Sequence, residues 1–227
     1  MSLNRPITAH DTMADLIRHD YNVLPVISRF RIPLGVGNKN IAQVCEQAGV
    51  NTRVFLMVIN MMISSQVDIS DMNEKDVAGI VDFLHNSHTY FIDYKFPHIR
   101  ANLQNALDPS HIDINPAIMQ FFDDYVEQVR IHFSYEENTV FPYVRALIHG
   151  DATDYSIDIF RKHHDEVAMK LTELKNIILL YYTTATPDKM YDALVDIFNC
   201  EADLESHALI ENNILVPAIA AIERHRR

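Results

Sequence analysis

The hydrophobic and polar positions from residue 75 onward follow a helical period in four long amphipathic segments. They span about 77–106, 116–148, 156–183 and 187–226, and connections rich in Pro, Gly, Asp and Thr separate them. We expect Pro97 to bend the first segment, Pro142 to break the second and Pro217 to interrupt the fourth. Four helices joined by short loops predict an all-α fold with an up-down four-helix bundle, whose interior can hold a metal site.

The N-terminal part of the chain predicts shorter helices. A helix begins near Asp11, Asn40 caps a second helix that stops at Gly49, and a third covers residues 54–63. This order resembles a helix-turn-helix, but the second of its helices is almost entirely apolar, with a single cation at Arg53. A DNA reader needs polar and cationic side chains there. We therefore expect a small helical packing domain at 1–66, a polar linker at 66–74, and the bundle at 75–227.

The composition of the chain limits the classes of partner and the cellular compartment that we expect. The net charge of -12 argues against general affinity for nucleic acid or for an anionic membrane. Neither a membrane-spanning run nor a secretory leader within residues 1–20 is evident, and two cysteines cannot build a disulfide framework. A cytoplasmic location is expected. The apolar face of 54–63 suggests a homodimer.

Two stretches repeat one pattern of chemistry. His132-x-x-x-Glu136 and His207-x-x-x-Glu211 each place an imidazole and a carboxylate four residues apart, and each is followed by a proline six residues after the glutamate. Positions i and i+4 share a face of a helix. A single such pair is usually a solvated surface pair, but two copies on inward stripes favour a metal site, because burying these groups without a metal is costly.

The other two segments supply further histidines. His163 and His164 lie on the third segment, and His85 and His88 on the first. Each alone would more often be a solvated or hydrogen-bonded histidine than a ligand. If both glutamates bridge, each of two metals gains two histidines and two carboxylate oxygens; an oxo or hydroxo bridge then leaves one position open. Such a set suits iron, manganese or zinc, and the open position suits dioxygen or nitric oxide.

At these residues the chain resembles the hemerythrin-like proteins, and within them the family that repairs iron–sulfur centres damaged by nitrosative and oxidative stress. The resembling motifs begin at His88, His132, His164 and His207, and the N-terminal segment resembles that family's small helical domain. The resemblance implies a non-haem di-iron centre bound by His88, His132, Glu136, His164, His207 and Glu211, with the two glutamates as bridges. His85 is the rival of His88 on the first segment.

One departure from that family bears on function. Its N-terminal domain usually carries a Cys-Cys pair before a Gly-Gly turn, whereas residues 32–37 here contain no cysteine. Cys45 and Cys200 are expected to be core residues.

The leading hypothesis is a nitric oxide and oxidative stress protein that repairs iron–sulfur client proteins. The alternative is a reversible dioxygen or nitric oxide sensor or carrier, and a third hypothesis is a di-iron oxidase or nitric oxide reductase.

Overall fold

The computed structural model describes residues 5–65, 67–151, 154–163, 169–184 and 187–226. These residues are helical throughout their regular structure; the only β pairing among them is an isolated bridge between Thr12 and Asn40. The predicted all-α fold is confirmed. The chain forms two compact units, unit 1 of residues 1–87, 144–153 and 209–227, and unit 2 of residues 88–143 and 154–208. The division into 1–66 and 75–227 stays a prediction.

Unit 1 contains the short N-terminal helices. They are α1 Met13–His19, α2 Leu24–Arg29, α3 Ile41–Ala48 and α4 Thr52–Ser64, with a 3-10 turn at Tyr21–Val23. Asn40 and Gln43 form a reciprocal capping box at the start of α3, and Gly49 ends that helix with φ 67°, a left-handed conformation that glycine adopts without strain. The predicted cap and stop of this helix are both confirmed.

The apolar face of α4 lies in the core of unit 1. Val54, Phe55, Val58 and Ile59 are buried, and the ring of Phe55 packs 5.2 Å from that of Phe30. These side chains are therefore not exposed for a partner, so the face from which a homodimer was inferred is largely covered within the unit. A homodimer stays a prediction without this support.

Three long helical segments continue past Pro97, Pro142 and Pro217. α5 Glu74–Thr89 leads through a π-helical turn at Tyr90–Lys95 into α6 Phe96–Ala106; α7 Asn115–Tyr135 leads through Glu136–Val140 into α8 Phe141–His149; and α11 Pro187–Ile210 leads through Glu211–Leu215 into α12 Val216–Arg226. Regular α-helical bonding is interrupted just before Pro142 and Pro217, as predicted, but by a π turn through which the helix continues and not by a break. A wider π turn precedes each proline, and the helix continues beyond it.

The predicted third segment, 156–183, is described in two parts. They are α9 Ile157–His163 and α10 Met169–Tyr181, and residues 164–168 between them lie outside the described residues. Unit 2 has its own core, in which apolar residues of α7 recur at helical spacing: Ile118, Phe122, Val129 and Phe133. Cys200 is buried in this core and Cys45 in that of unit 1, and neither forms a disulfide.

No helix among the described residues has the length and apolar character needed to cross a bilayer.

Candidate metal centre

Four of the predicted ligands come together in one buried cluster. One possible ligand atom from each of His88, Glu136, His207 and Glu211 lies within 4.8 Å of the others. All four side chains are buried, and both glutamates have 0% exposure. The cluster thus contains residues that are more than 100 positions apart in the sequence.

Local helix geometry positions both glutamates. Glu136 and Glu211 are each the first residue of a π-helical turn, and the amide five residues later, of Phe141 or Val216, donates to the glutamate's own carbonyl oxygen. A π turn widens the helix by one residue and is common at functional sites. The proline that follows lacks an amide hydrogen, so it tolerates the interruption of the ordinary i to i−4 bonding. The repeated His-x-x-x-Glu pattern is thus matched by a repeated backbone feature.

Glu136 contacts histidines from two different helices. Its Oε1 lies 3.0 Å from His132 Nε2, and its Oε2 lies 2.9 Å from His88 Nε2. The i to i+4 contact with His132 is the one that the spacing predicts. The two oxygens of one carboxylate therefore point toward two different imidazoles, which is the disposition that a bridging ligand requires.

His88 is held by contacts on every side of its ring. Its Nδ1 lies 2.6 Å from Glu137 Oε1. The ring stacks on Phe133, with centroids 4.0 Å apart and an interplanar angle of 17°, and more distantly on Phe141 at 5.4 Å and 10°. His85, its rival, is exposed on the outer side of α5. The structure thus places His88, and not His85, in the buried cluster.

His207 lies among aromatic rings. Its ring centroid is 5.2 Å from that of His88, 5.4 Å from Phe133 and 6.0 Å from Phe91, which it meets edge-on. His132 is more open, with 15% of its side chain exposed. His164 lies outside the described residues, so the structure does not test its place in the ligand set.

The inward stripes predicted from spacing extend away from the cluster. Tyr125 and Cys200 are buried, whereas Gln128 and Leu204 are only partly buried. Burial raises the pKa of the Tyr125 hydroxyl far above its usual range, and the nearby Cys200 and Glu201 add to this effect. Tyr125 thus remains a neutral core side chain. In unit 1, burial raises the pKa of the Cys45 thiol to about 11.

Two residues beside the cluster, Glu137 and Phe133, have no role predicted from the sequence. Glu137 contacts His88, and Phe133 packs on both His88 and His207. The signal for Glu137 was the Glu-Glu pair itself: consecutive helical residues point about 100° apart, so one carboxylate can face the cluster while the next reaches a neighbouring helix. For Phe133 the signal was its place on the apolar stripe of α7.

The chemistry of the donor set fits a cation. Two carboxylates with no exposure to water carry a large desolvation cost unless positive charge is placed beside them. Imidazole nitrogens and carboxylate oxygens are ligands that divalent first-row transition metals accept, and here they converge from separate helices. The cluster therefore supports metal binding.

Comparison with known proteins agrees with this geometry. The family model described as the Hemerythrin HHE cation binding domain matches residues 79–220, a span that contains the whole cluster. No curated protein matches the chain significantly.

Proposed function

The chain belongs to the hemerythrin family, and on that premise we propose that it is a non-haem di-iron protein that acts in the response to nitric oxide and oxidative stress by repairing iron–sulfur centres. The observation that carries the proposal is the buried cluster of His88, Glu136, His207 and Glu211. The order of the histidine motifs and the small N-terminal helices support the repair role by resemblance. The client would be a damaged iron–sulfur protein.

The proposed ligands are His88, His132, Glu136, His164, His207 and Glu211, with the two glutamates as bridges. Support for the bridging role of Glu136 comes from its two oxygens, which face His88 and His132 separately. Bound iron would supply open coordination positions for a diatomic ligand such as dioxygen or nitric oxide. Manganese and zinc tolerate the same donor set, so metal identity is part of the proposal.

The surrounding side chains control what reaches this centre. Phe91, Phe133 and Phe141 are buried and line the imidazoles with apolar surface. Apolar walls exclude water and admit a small uncharged gas more readily than an ion. Of the two histidines that contact Glu136, His132 is the more exposed, with 15% of its side chain accessible against 6% for His88.

Metal analysis of ligand variants tests the centre. His88→Leu and His207→Leu should each lose most bound iron after anaerobic loading with Fe(II), because each removes a buried imidazole from the donor set. His85→Leu is the matched control, since it removes an exposed histidine from the same helix as His88. Retention of two irons per chain by folded His88→Leu and His207→Leu proteins would refute the assignment.

The repair role needs a separate test. The iron-loaded protein should restore activity to an iron–sulfur enzyme that has been inactivated by nitric oxide, and the metal-deficient His207→Leu variant should not. Equal recovery with both proteins would show that free iron, rather than this centre, causes the repair.

The alternative is a reversible dioxygen or nitric oxide sensor or carrier. The observation that favours it is the chemistry of the N-terminal part, where the single cysteine, Cys45, is buried and its pKa is raised to about 11. Such a thiol is a poor nucleophile and a poor candidate for metal transfer. Repeated cycles of oxygenation and deoxygenation of the reduced protein decide between the two: a spectrum that returns unchanged supports the carrier, and irreversible oxidation supports repair or redox turnover.

A further inference from the structure

The helix that carries His88 lacks the glutamate that follows the histidine in the two His-x-x-x-Glu motifs. His132 is followed four residues later by Glu136, and His207 by Glu211, but the residue four places after His88 is Ile92. His88 instead receives a carboxylate from a different helix. Glu137 Oε1 lies 2.6 Å from its Nδ1, while Nε2 faces Glu136 at 2.9 Å.

This contact sets the tautomer of the imidazole. A carboxylate oxygen accepts hydrogen bonds, so the contact is satisfied when Nδ1 of His88 carries the hydrogen and Glu137 accepts it. With Nδ1 engaged in this way, Nε2 faces Glu136 and the cluster. A metal that takes the place of any hydrogen between Nε2 and Glu136 would then meet the Nε2 lone pair. Glu137 is partly exposed, with 31% of its side chain accessible.

The aromatic contacts of His88 cannot provide the same control. Phe133 and Phe141 lie nearly parallel to its ring and restrict the plane of that ring. A half-turn about the Cβ–Cγ bond keeps this plane but exchanges Nδ1 with Cδ2 and Nε2 with Cε1. Stacking is nearly indifferent to that exchange, because the two faces of a planar ring are alike. The hydrogen bond to Glu137 distinguishes them.

We propose that Glu137 is a positioning residue that selects the rotamer and tautomer of His88 and so prepares Nε2 as a ligand of one metal position. The consecutive residues Glu136 and Glu137 then have different roles. Glu136 faces the cluster, whereas Glu137 binds the ring nitrogen of His88 that points away from the cluster and so orients this ligand of the neighbouring helix. The inference rests on the proposed metal centre but depends neither on iron as the metal nor on the repair role. Carboxylate partners behind ligating histidines typically change metal affinity about 10–100-fold.

The test compares Glu137→Ala and Glu137→Gln with wild type and with Glu205→Gln. Glu205 is exposed and lies two residues before His207, so the control removes one carboxylate charge near the site without touching His88. Fe(II) is loaded anaerobically and its affinity measured by competition with a chelator. Glu137→Ala should bind Fe(II) about 10–100-fold more weakly. Glu137→Gln, whose amide still accepts but without charge, should fall between it and wild type, and Glu205→Gln should match wild type.

A second readout needs no metal. Nitrogen-15 NMR of the imidazoles in the metal-free protein reports which ring nitrogen of His88 carries the hydrogen, with His88→Leu used to assign the signal. In wild type Nδ1 should carry a hydrogen, and in both Glu137 variants this hydrogen should shift toward Nε2, which faces Glu136. If Glu137→Ala does not fold, Glu137→Gln decides with the same two measurements.

The outcomes separate this inference from the proposed function. Wild-type tautomer and affinity in folded Glu137 variants would overturn the inference while leaving the metal centre intact. A changed tautomer in protein that binds no metal even as wild type would instead uphold the positioning role and refute the metal centre. Equal weakening in Glu205→Gln would overturn the inference too, since the effect would then be one of net charge.

Discussion

Phe133 offers a quantitative test of how the aromatic wall supports the cluster. The residue is 4% exposed, and its ring lies 4.0 Å from His88, 5.4 Å from His207 and 6.1 Å from Phe91. Truncation of a buried Phe to Ala costs about 3–5 kcal/mol in unfolding free energy, and the cost is highest where the neighbours cannot collapse into the cavity. Here the neighbours are themselves held, His88 by Glu137 and the others by the core, so the upper half of that range applies.

For Phe133→Ala we therefore expect a loss of about 4–5 kcal/mol in unfolding free energy, which lowers the thermal midpoint by roughly 8–20 °C for a chain of this size. The measurement is urea and thermal unfolding followed by circular dichroism, on metal-free protein, because a bound metal adds its own stabilisation. Ile131→Ala is the matched control: it lies two residues away on α7 and is 62% exposed, so its change should stay within about 0.5 kcal/mol. A loss below about 1 kcal/mol for Phe133→Ala would refute the claim that its neighbours cannot fill the space.

Two further predictions concern unit 1. Hydrogen bonds from Arg5, and more weakly from Thr8, hold the pKa of the Asp11 carboxyl well below its usual range. The ionised Asp11 carboxylate therefore stabilises the fold above the unfolded-state pKa of about 4, and this stabilisation is lost as the pH falls through the lower pKa of the folded state. Between pH 5 and pH 2, the unfolding free energy of wild type, measured in urea, should fall more steeply than that of Asp11→Asn. Parallel falls in the two proteins would contradict this. Because burial raises the pKa of Cys45 to about 11, a thiol reagent at pH 8 should not label it in the native protein but should label it fully in urea; rapid native labelling would contradict its burial.

The ligand stripes were predictable because they depend on local periodicity. The His-x-x-x-Glu spacing alone predicts the contact between His132 and Glu136, and the observed distance is 3.0 Å. The choice between His85 and His88 was also available from the phase of the helix. Leu84, His88 and Phe91 fall on one buried stripe at i, i+4 and i+7, whereas His85 falls outside it.

The contact between Glu137 and His88 was not predictable in the same way. It joins residues 49 positions apart, and it depends on how two helices are aligned along their lengths. A shift by one turn, about 5.4 Å, would place another residue opposite His88. Side-chain periodicity fixes which face of each helix is buried, but packing of the whole interface fixes that alignment.

Each π turn could be maintained by the proline that follows it or by the burial of the helix segments before and after it. If the turn at Glu136–Val140 became an ordinary α-helix, all residues after it would rotate by about 100° about the helix axis. Phe141, Val144 and Ile148 are all buried, and exposing such side chains costs about 1.5–3 kcal/mol each. The gain from restoring one regular hydrogen bond is only about 0.5–1.5 kcal/mol. Burial therefore outweighs the backbone preference, and the turn should persist without its proline.

Pro142→Ala should accordingly keep wild-type metal stoichiometry, with a stability change of about 1 kcal/mol or less. Deleting exposed Asn138 from the turn tests the same reasoning from the opposite side, because it removes the extra residue while leaving the buried faces in phase. The ordinary helix so formed would bring the Pro142 ring against the carbonyl four residues earlier, at about 3 kcal/mol. The deletion should thus cost about 3 kcal/mol more in wild type than in the Pro142→Ala background. Loss of metal from Pro142→Ala with helicity unchanged would show instead that the proline, and not the packing, maintains the turn that positions Glu136.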